Sequence, residues 1–195
     1  MRESAVERAR AWIAANALIL DTETTGLGDD AEVVELAVID CTGMVLLDTL
    51  VRPSGVVPTE AAAIHGITDA MLTGAPAWPE IHDRFCLLIA ARQVIAYNAD
   101  FDVRLIEQTA RRYRESIPEL VPLDQVATFS CAMVAYADFY GEWSAEKGRY
   151  RWQKLSAAAQ QQGVTVGNAH RALGDCLMTL GVVRAMAFTE NAKRV

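Results

Sequence analysis

Asp21 and Glu23 stand one residue apart in Asp21-Thr22-Glu23-Thr24-Thr25-Gly26, directly after the apolar run Ala17-Leu18-Ile19-Leu20. Such a run reads as a buried strand, and residues i and i+2 of a strand share a face. The two acids would therefore lie side by side at the end of a hydrophobic strand. Adjacent carboxylates that lose hydration repel each other, and a cation compensates them. Oxygen-only ligands suit Mg²⁺ or Mn²⁺. The spacing alone fits two exposed acids at a surface strand end equally well. A second Asp-x-Glu, Asp30 and Glu32, follows Gly28-Asp29 with no apolar run before it and reads as a solvated loop.

Distant residues could complete a site. In Tyr97-Asn98-Ala99-Asp100-Phe101-Asp102 a strand gives way to a helix, with Asp102 in the first turn, where the macrodipole favours an anion. The alternative is that Asp100 and Asp102 are simple capping acids. In His170-Arg171-Ala172-Leu173-Gly174-Asp175, positions i and i+5 of one continuous helix lie about 140° apart and converge poorly. The pair works better with His170 on a loop, supported by Gly167 and Asn168, and Asp175 inside the helix. A surface histidine beside a solvated acid is the plainer alternative.

Taken in order, these segments resemble the DEDDh (DnaQ-like) family of 3′–5′ exonucleases, which includes the proofreading subunit of bacterial DNA polymerase III and ribonuclease T. The first motif matches Asp21 to Gly26, the second Asn98-Ala99-Asp100-Phe101-Asp102, and the third His170 to Asp175. His65-Gly66-Ile67 stands between the first two, as it often does in the family. The resemblance runs from about Leu18 to Ala187. It implies an α/β, ribonuclease H-like fold with a mixed five-stranded sheet flanked by helices. It further implies two-metal-ion hydrolysis of phosphodiesters. Asp21 would bridge two Mg²⁺ or Mn²⁺ ions, Glu23 and Asp175 would complete the first ion's shell, and Asp102 would act largely through bound water. His170 would be the general base; an imidazole titrates near about 6.5. The substrate would be a single-stranded or frayed 3′ end of DNA, with RNA as the other candidate. A non-catalytic docking module on the same fold, or another ribonuclease H-like nuclease, are the competing classes. The intact set of acids disfavours the first and the His-x-x-x-x-Asp arrangement the second.

By the same resemblance the turn Thr24, Gly26 and Leu27 approaches the terminal nucleotide, with Leu27 as a wedge between bases; ordinary core is the alternative for Leu27. Asn98 and Phe101 join the substrate side through the second motif, and His65 either does so or makes a structural hydrogen bond. His82 has no motif support. From Trp143 to Lys154, basic and aromatic residues interleave. Arg149 and Arg151 can track phosphates while Trp143 offers a stacking face to single-stranded bases; otherwise Trp152 is core and the charges are solvated. Arg104, Arg111, Arg112 and Arg114 read as a solvated helix face.

The elements that must position these residues follow from periodicity. Helices are expected over 3–16, 58–64, 68–73, 78–91, from about 98 to 114, over 126–140 and 154–162, and from 171 to 189. In the last of these Leu173, Cys176, Leu177, Leu180 and Val183 form the core face. Strands are expected over 17–23, 33–39, 44–51 and 93–97, with a hairpin at Asp40-Cys41-Thr42-Gly43. At 195 residues, with 52% hydrophobic and 22% charged, the chain fits one domain, its core about 17–189. The first residues are too charged for a signal peptide and no run approaches a membrane span, so the cytoplasm is the expected compartment. Four isolated cysteines read as reduced thiols. A net charge of −7 argues against a general polyanion binder, although two divalent ions would restore four positive charges at the site itself. Only a short stretch follows the last helix, so no equivalent of a polymerase-binding tail is evident. A homodimer, or a polymerase or repair partner, is compatible with the resemblance.

Overall fold

The strand that carries the first acidic pair sits at the centre of the architecture. In the computed structural model, which describes residues 4–117, 119–165, 167 and 170–189, β1 (Leu18–Thr24) pairs antiparallel with β2 (Val33–Asp40) and parallel with β4 (Gln93–Ala96). Adding β3 (Val45–Leu50) and β5 (Thr128–Cys131) gives a five-stranded mixed sheet in the order β3-β2-β1-β4-β5. The hairpin between β2 and β3 turns at Asp40, whose Oδ1 accepts from the backbone N–H of Thr42 and Met44. β2 is buried along its whole length, because helices cover both faces of the central sheet.

One layer is formed by α4 (Trp78–Ile89), α5 (Ala99–Arg112) and the short α6 (Leu123–Val126). Trp78, Phe85, Leu105 and Ile106 pack there on Leu18, Leu20, Leu36 and Val38. The opposite layer holds α1 (Ala5–Ala14), α7 (Ala132–Tyr140), α8 (Leu155–Gln161) and α9 (Ala172–Phe188) over Ile19, Ala37 and Ile39. Alternation along β1 thus assigns its odd residues to the α9 side and its even residues to the α5 side. α2 (Thr59–His65) and α3 (Asp69–Leu72) build a small third cluster around Val57, Ile67 and Leu72. Ser4 caps α1 in a reciprocal capping box with Glu7.

Four expectations need correcting. The helix expected over 126–140 is instead α6, the edge strand β5 and α7. β5 has only four residues and runs straight into a helix, so its apolar positions continue the helical spacing. The segment from Trp143 to Lys154, for which no strand is expected, contains a two-stranded ribbon, β6 (Trp143–Ser144) with β7 (Arg149–Tyr150). Leu177, placed on the core face of α9, is 47% exposed, while Met178, Val182 and Met186 are buried instead. Glu32 is not in a solvated loop. It is buried and accepts from the backbone N–H and hydroxyl of Ser54, with the Arg112 guanidinium beside it. That buried carboxylate ties the loop before β2 to the segment after β3 and to the end of α5. Asn168 and Met1 to Glu3, invoked above, lie outside the described residues.

Candidate active site

The acidic pair lies at the C-terminal end of β1, the end at which the parallel strands β4 and β5 also finish. Open α/β sheets present their sites at this edge, outside the carboxyl ends of the strands. Asp21 and Glu23 continue the face of Ile19 and point toward α9. Asp175, in the first turn of α9, meets them there: one carboxylate oxygen from each of the three lies within 4.8 Å of the others. Asp102 comes from the opposite side. It is buried in the first turn of α5 and accepts a 2.8 Å hydrogen bond at Oδ1 from the hydroxyl of Thr22, which continues the Leu20 face. The two helices therefore straddle the strand end, and the residue between the paired acids holds the fourth. Beneath the cluster, the buried Cys176 thiol donates to the carbonyls of Ile19 and Ala37 at 3.6 and 3.5 Å.

The electrostatics follow from this crowding. Burial raises the pKa of Asp21 well above the carboxylate range, and the charges of Asp102, Asp175 and Glu23 add to it. Burial, then Asp175 and Glu35, push Glu23 up to about 8, with Arg171 opposing. Asp102 is raised by burial against the Thr22 hydrogen bond, and Asp175 is raised by burial against the backbone N–H and charge of His170. Such a cluster cannot be fully ionised without positive charge brought into it. The donor set is all oxygen, which fits a hard divalent cation.

His170 lies on a loop and Asp175 lies inside the helix, as convergence requires. α9 begins at Ala172, and His170 stands just before it, exposed, with φ +61°. Its backbone N–H reaches Asp175 Oδ1 at 3.3 Å. Asn98 occupies the cap position of α5 but makes no side-chain cap; its carbonyl accepts from the N–H of Phe101 at 2.9 Å. Asp100 is therefore not the cap. Phe101 packs against the core beneath the Arg104 guanidinium, 5.5 Å from its ring centroid.

The turn after β1 is braced from α5. Arg104 donates to the carbonyl of Leu27, Gln108 to those of Gly28 and Ala31, and Arg112 to that of Asp30. These side chains hold a loop rather than a solvated face, which corrects the reading of Arg104 and Arg112. Leu27 itself is 77% exposed and not core. Thr24 turns its hydroxyl onto the carbonyl of Gly26. His65 is buried with both ring nitrogens engaged. Nδ1 accepts from the N–H of Ile67, so the proton sits on Nε2, which faces the carbonyl of Thr24 at 3.2 Å. It props the turn from below instead of facing solvent. His82 is likewise buried, its Nδ1 accepting from the Trp78 indole N–H.

Trp143, Arg149 and Arg151 are not drawn into the acidic cluster. Trp143 packs edge-on against Tyr150, and the Arg149 guanidinium lies 3.6 Å above Trp152. Trp143 and Trp152 are 57% and 52% exposed, so Trp152 is not core. Just after the ribbon, the carbonyl of Gln153 accepts from the hydroxyl of Tyr97, the residue before Asn98. Sequence reasoning missed Thr22, Glu35 and Arg171. Glu35 carried a signal: a lone acid amid Val33-Val34 and Leu36-Ala37 in a strand covered on both faces must have a partner.

A mixed five-stranded sheet with acids gathered at the end of its central strand defines a ribonuclease H-like nuclease. The RNase_T family model, described as an exonuclease, matches residues 18–183. Exonuclease CP81 of Escherichia phage 186 is 48% identical over 183 residues, covering 93% of both chains. The DNA polymerase III subunit epsilon of Treponema pallidum is 32% identical over 170 residues, covering 85% of this chain and 74% of its own. Among solved structures, exonuclease X in complex with 5′ overhanging duplex DNA superposes with a TM-score of 0.60 at 28% identity, over 87% of this chain and 90% of that one. The chain belongs to this exonuclease family, and the protein is a 3′–5′ exonuclease. No helix among the described residues is long and apolar enough to cross a membrane.

Proposed function

We propose that the protein releases 5′-mononucleotides from single-stranded or frayed 3′ ends, DNA in preference to RNA, with two Mg²⁺ or Mn²⁺ ions held by Asp21, Glu23, Asp102 and Asp175 and with His170 as general base. The observation that carries the reading is the convergence of three carboxylate oxygens within 4.8 Å beside the His170 loop. When bound, divalent ions would supply Lewis-acid charge and lower the pKa of an attacking water. Asp21 is central to the set, flanked by Glu23 on its own strand and Asp175 on α9. Asp102 accepts at Oδ1 from Thr22 and would meet an ion or its water from the α5 side. His170, exposed and next to Asp175, is free to take the proton of the attacking water at an imidazole nitrogen.

Leu27 presents an apolar side chain to solvent at the tip of a braced turn, as a wedge against the last base would need. Thr24 and Gly26 shape that turn, and Asn98 and Phe101 would join the substrate side from the start of α5. Trp143, Arg149 and Arg151 would grip the strand upstream through stacking and phosphate contacts. The preference for DNA is supported by relatives that are DNA polymerase III epsilon subunits and by a neighbour solved with duplex DNA.

Digestion of matched DNA and RNA oligonucleotides, labelled at the 5′ or the 3′ end, tests this. With Mg²⁺ or Mn²⁺ the 5′-labelled strand should shorten stepwise, and the 3′-labelled one should release its label at once as a 5′-mononucleotide. EDTA should stop both. Internal fragments as first products, or activity that survives EDTA, would overturn the proposal.

A further inference from the structure

Glu35 lies directly opposite Glu23 in the β1–β2 register and is only 3% exposed. By position it could be a fifth ligand of the acidic cluster. Its hydrogen bonds argue otherwise. Oε1 accepts from Arg171 Nε at 3.0 Å and from Arg171 Nη2. Oε2 accepts from Arg171 Nε at 3.1 Å and from the backbone N–H of Ala172, the first residue of α9, at 2.8 Å. Both oxygens are committed to two consecutive residues, and these follow His170 directly. A carboxylate from the sheet thus receives an unpaired N–H of the helix N-terminus, where the macrodipole also favours it.

The residue so flanked has an unusual backbone. His170 takes φ +61°, a left-handed conformation that side chains with a Cβ adopt rarely. Such a conformation persists where its surroundings over-determine it. Here Arg171 and Ala172 are pinned to Glu35, and the His170 N–H is pinned to Asp175. A residue on the second strand of the sheet thus holds the backbone immediately after His170.

We propose that Glu35 and Arg171 form a positioning clamp that aims His170, acting on the reaction through the histidine and not through metal or substrate. The inference rests on the general-base reading of His170. It predicts that Glu35→Gln, which keeps the shape but turns an amide toward the guanidinium, lowers kcat by about tenfold or more. KM for an oligonucleotide should stay within about twofold, and so should Mn²⁺ affinity in Arg171→Lys, which leaves the charge beside the acids unchanged. In a His170→Ala background the same change should cost less than about twofold, because the group it aims is gone.

The experiment is this double-mutant cycle, with Mn²⁺ titration by calorimetry and a melting curve for each variant. Arg171→Lys keeps the charge and loses the fork, so it should reproduce the pattern should Glu35→Gln fail to fold. An equal loss of kcat in both backgrounds would overturn the clamp and leave the base standing. Weakened Mn²⁺ binding in Arg171→Lys would overturn it too, by making the Glu35–Arg171 pair part of the ion's surroundings. If His170→Ala alone leaves kcat unchanged, the general-base reading falls, and the clamp falls with it.

Discussion

Thr22 joins two halves of the site. Its hydroxyl bonds Asp102 across the strand end, so a residue with no ligand chemistry of its own fixes where the fourth carboxylate stands. Thr22→Val keeps the β-branched shape and deletes the donor, leaving a buried carboxylate one partner short, at a cost of about 1–3 kcal/mol. The expected outcome is a lower melting temperature and a higher Mg²⁺ concentration for half-maximal activity, with Thr22→Ser close to wild type. An unchanged Mg²⁺ dependence would separate Asp102 from ion binding. At this scale the sequence was informative where chemistry selects the residue type. Asp21 and Glu23 share a face as their spacing suggested, and Asp175, placed beside them only by the resemblance, meets them there. Thr22, Glu35 and Arg171 stayed hidden because their roles are geometric, and geometry depends on strand register and on where α9 begins. His65 was legible as a residue of interest but not as a prop under the Thr24 turn.

The ribbon of β6 and β7 brings four aromatic and guanidinium faces together outside the main sheet. Stacking of one base on an aromatic is worth about 1–3 kcal/mol. Trp143→Ala and Trp152→Ala should each raise KM for a single-stranded oligonucleotide by about tenfold while kcat for a small chromogenic phosphodiester stays put. A parallel loss on the small ester would instead show that the ribbon supports the acidic cluster. The ribbon and β5 were the elements that periodicity could not read. Each is four residues or fewer per strand, below the length at which alternation differs from chance. β1, β2, α5 and α9, which carry or frame the cluster, are long or strongly patterned and were recovered within a few residues; β4 is as short as β5 and was read from its apolar run.

Across the whole molecule the cluster opposes folding. Glu23 has an ordinary pKa of 4.5, raised to about 8 in the folded protein. Its contribution to stability is fully present below the ordinary pKa, where both states are protonated, and is lost as pH rises through about 8. His65 and His82, both lowered by burial, act with the opposite sign below about 6.5, so wild type alone mixes the two effects. Comparison with Glu23→Gln isolates the carboxylate. In EDTA, Glu23→Gln should melt higher than wild type, with a gap that widens between pH 5 and 8. Mn²⁺ should raise the melting temperature of wild type more than that of the variant. A gap independent of pH would refute the assignment. The α/β class with a mixed sheet was legible because a strand hairpin is followed by alternating helices and a strand, whereas the five-stranded ribonuclease H-like arrangement followed from the resemblance.

The Cys176 thiol has a consequence for how this molecule moves. It lies wholly inside, between β1, β2 and α9, one residue along from Asp175, and burial pushes its pKa well above that of a free thiol. It can meet an alkylating reagent only when α9 lifts from the sheet, and lifting α9 carries Asp175 away from Asp21 and Glu23. Cys86 and Cys131 are only partly covered and should be modified ahead of it. The chain thus contains its own clock. The rate at which this one sulfur is trapped would count how often Asp175 parts from Asp21 and Glu23.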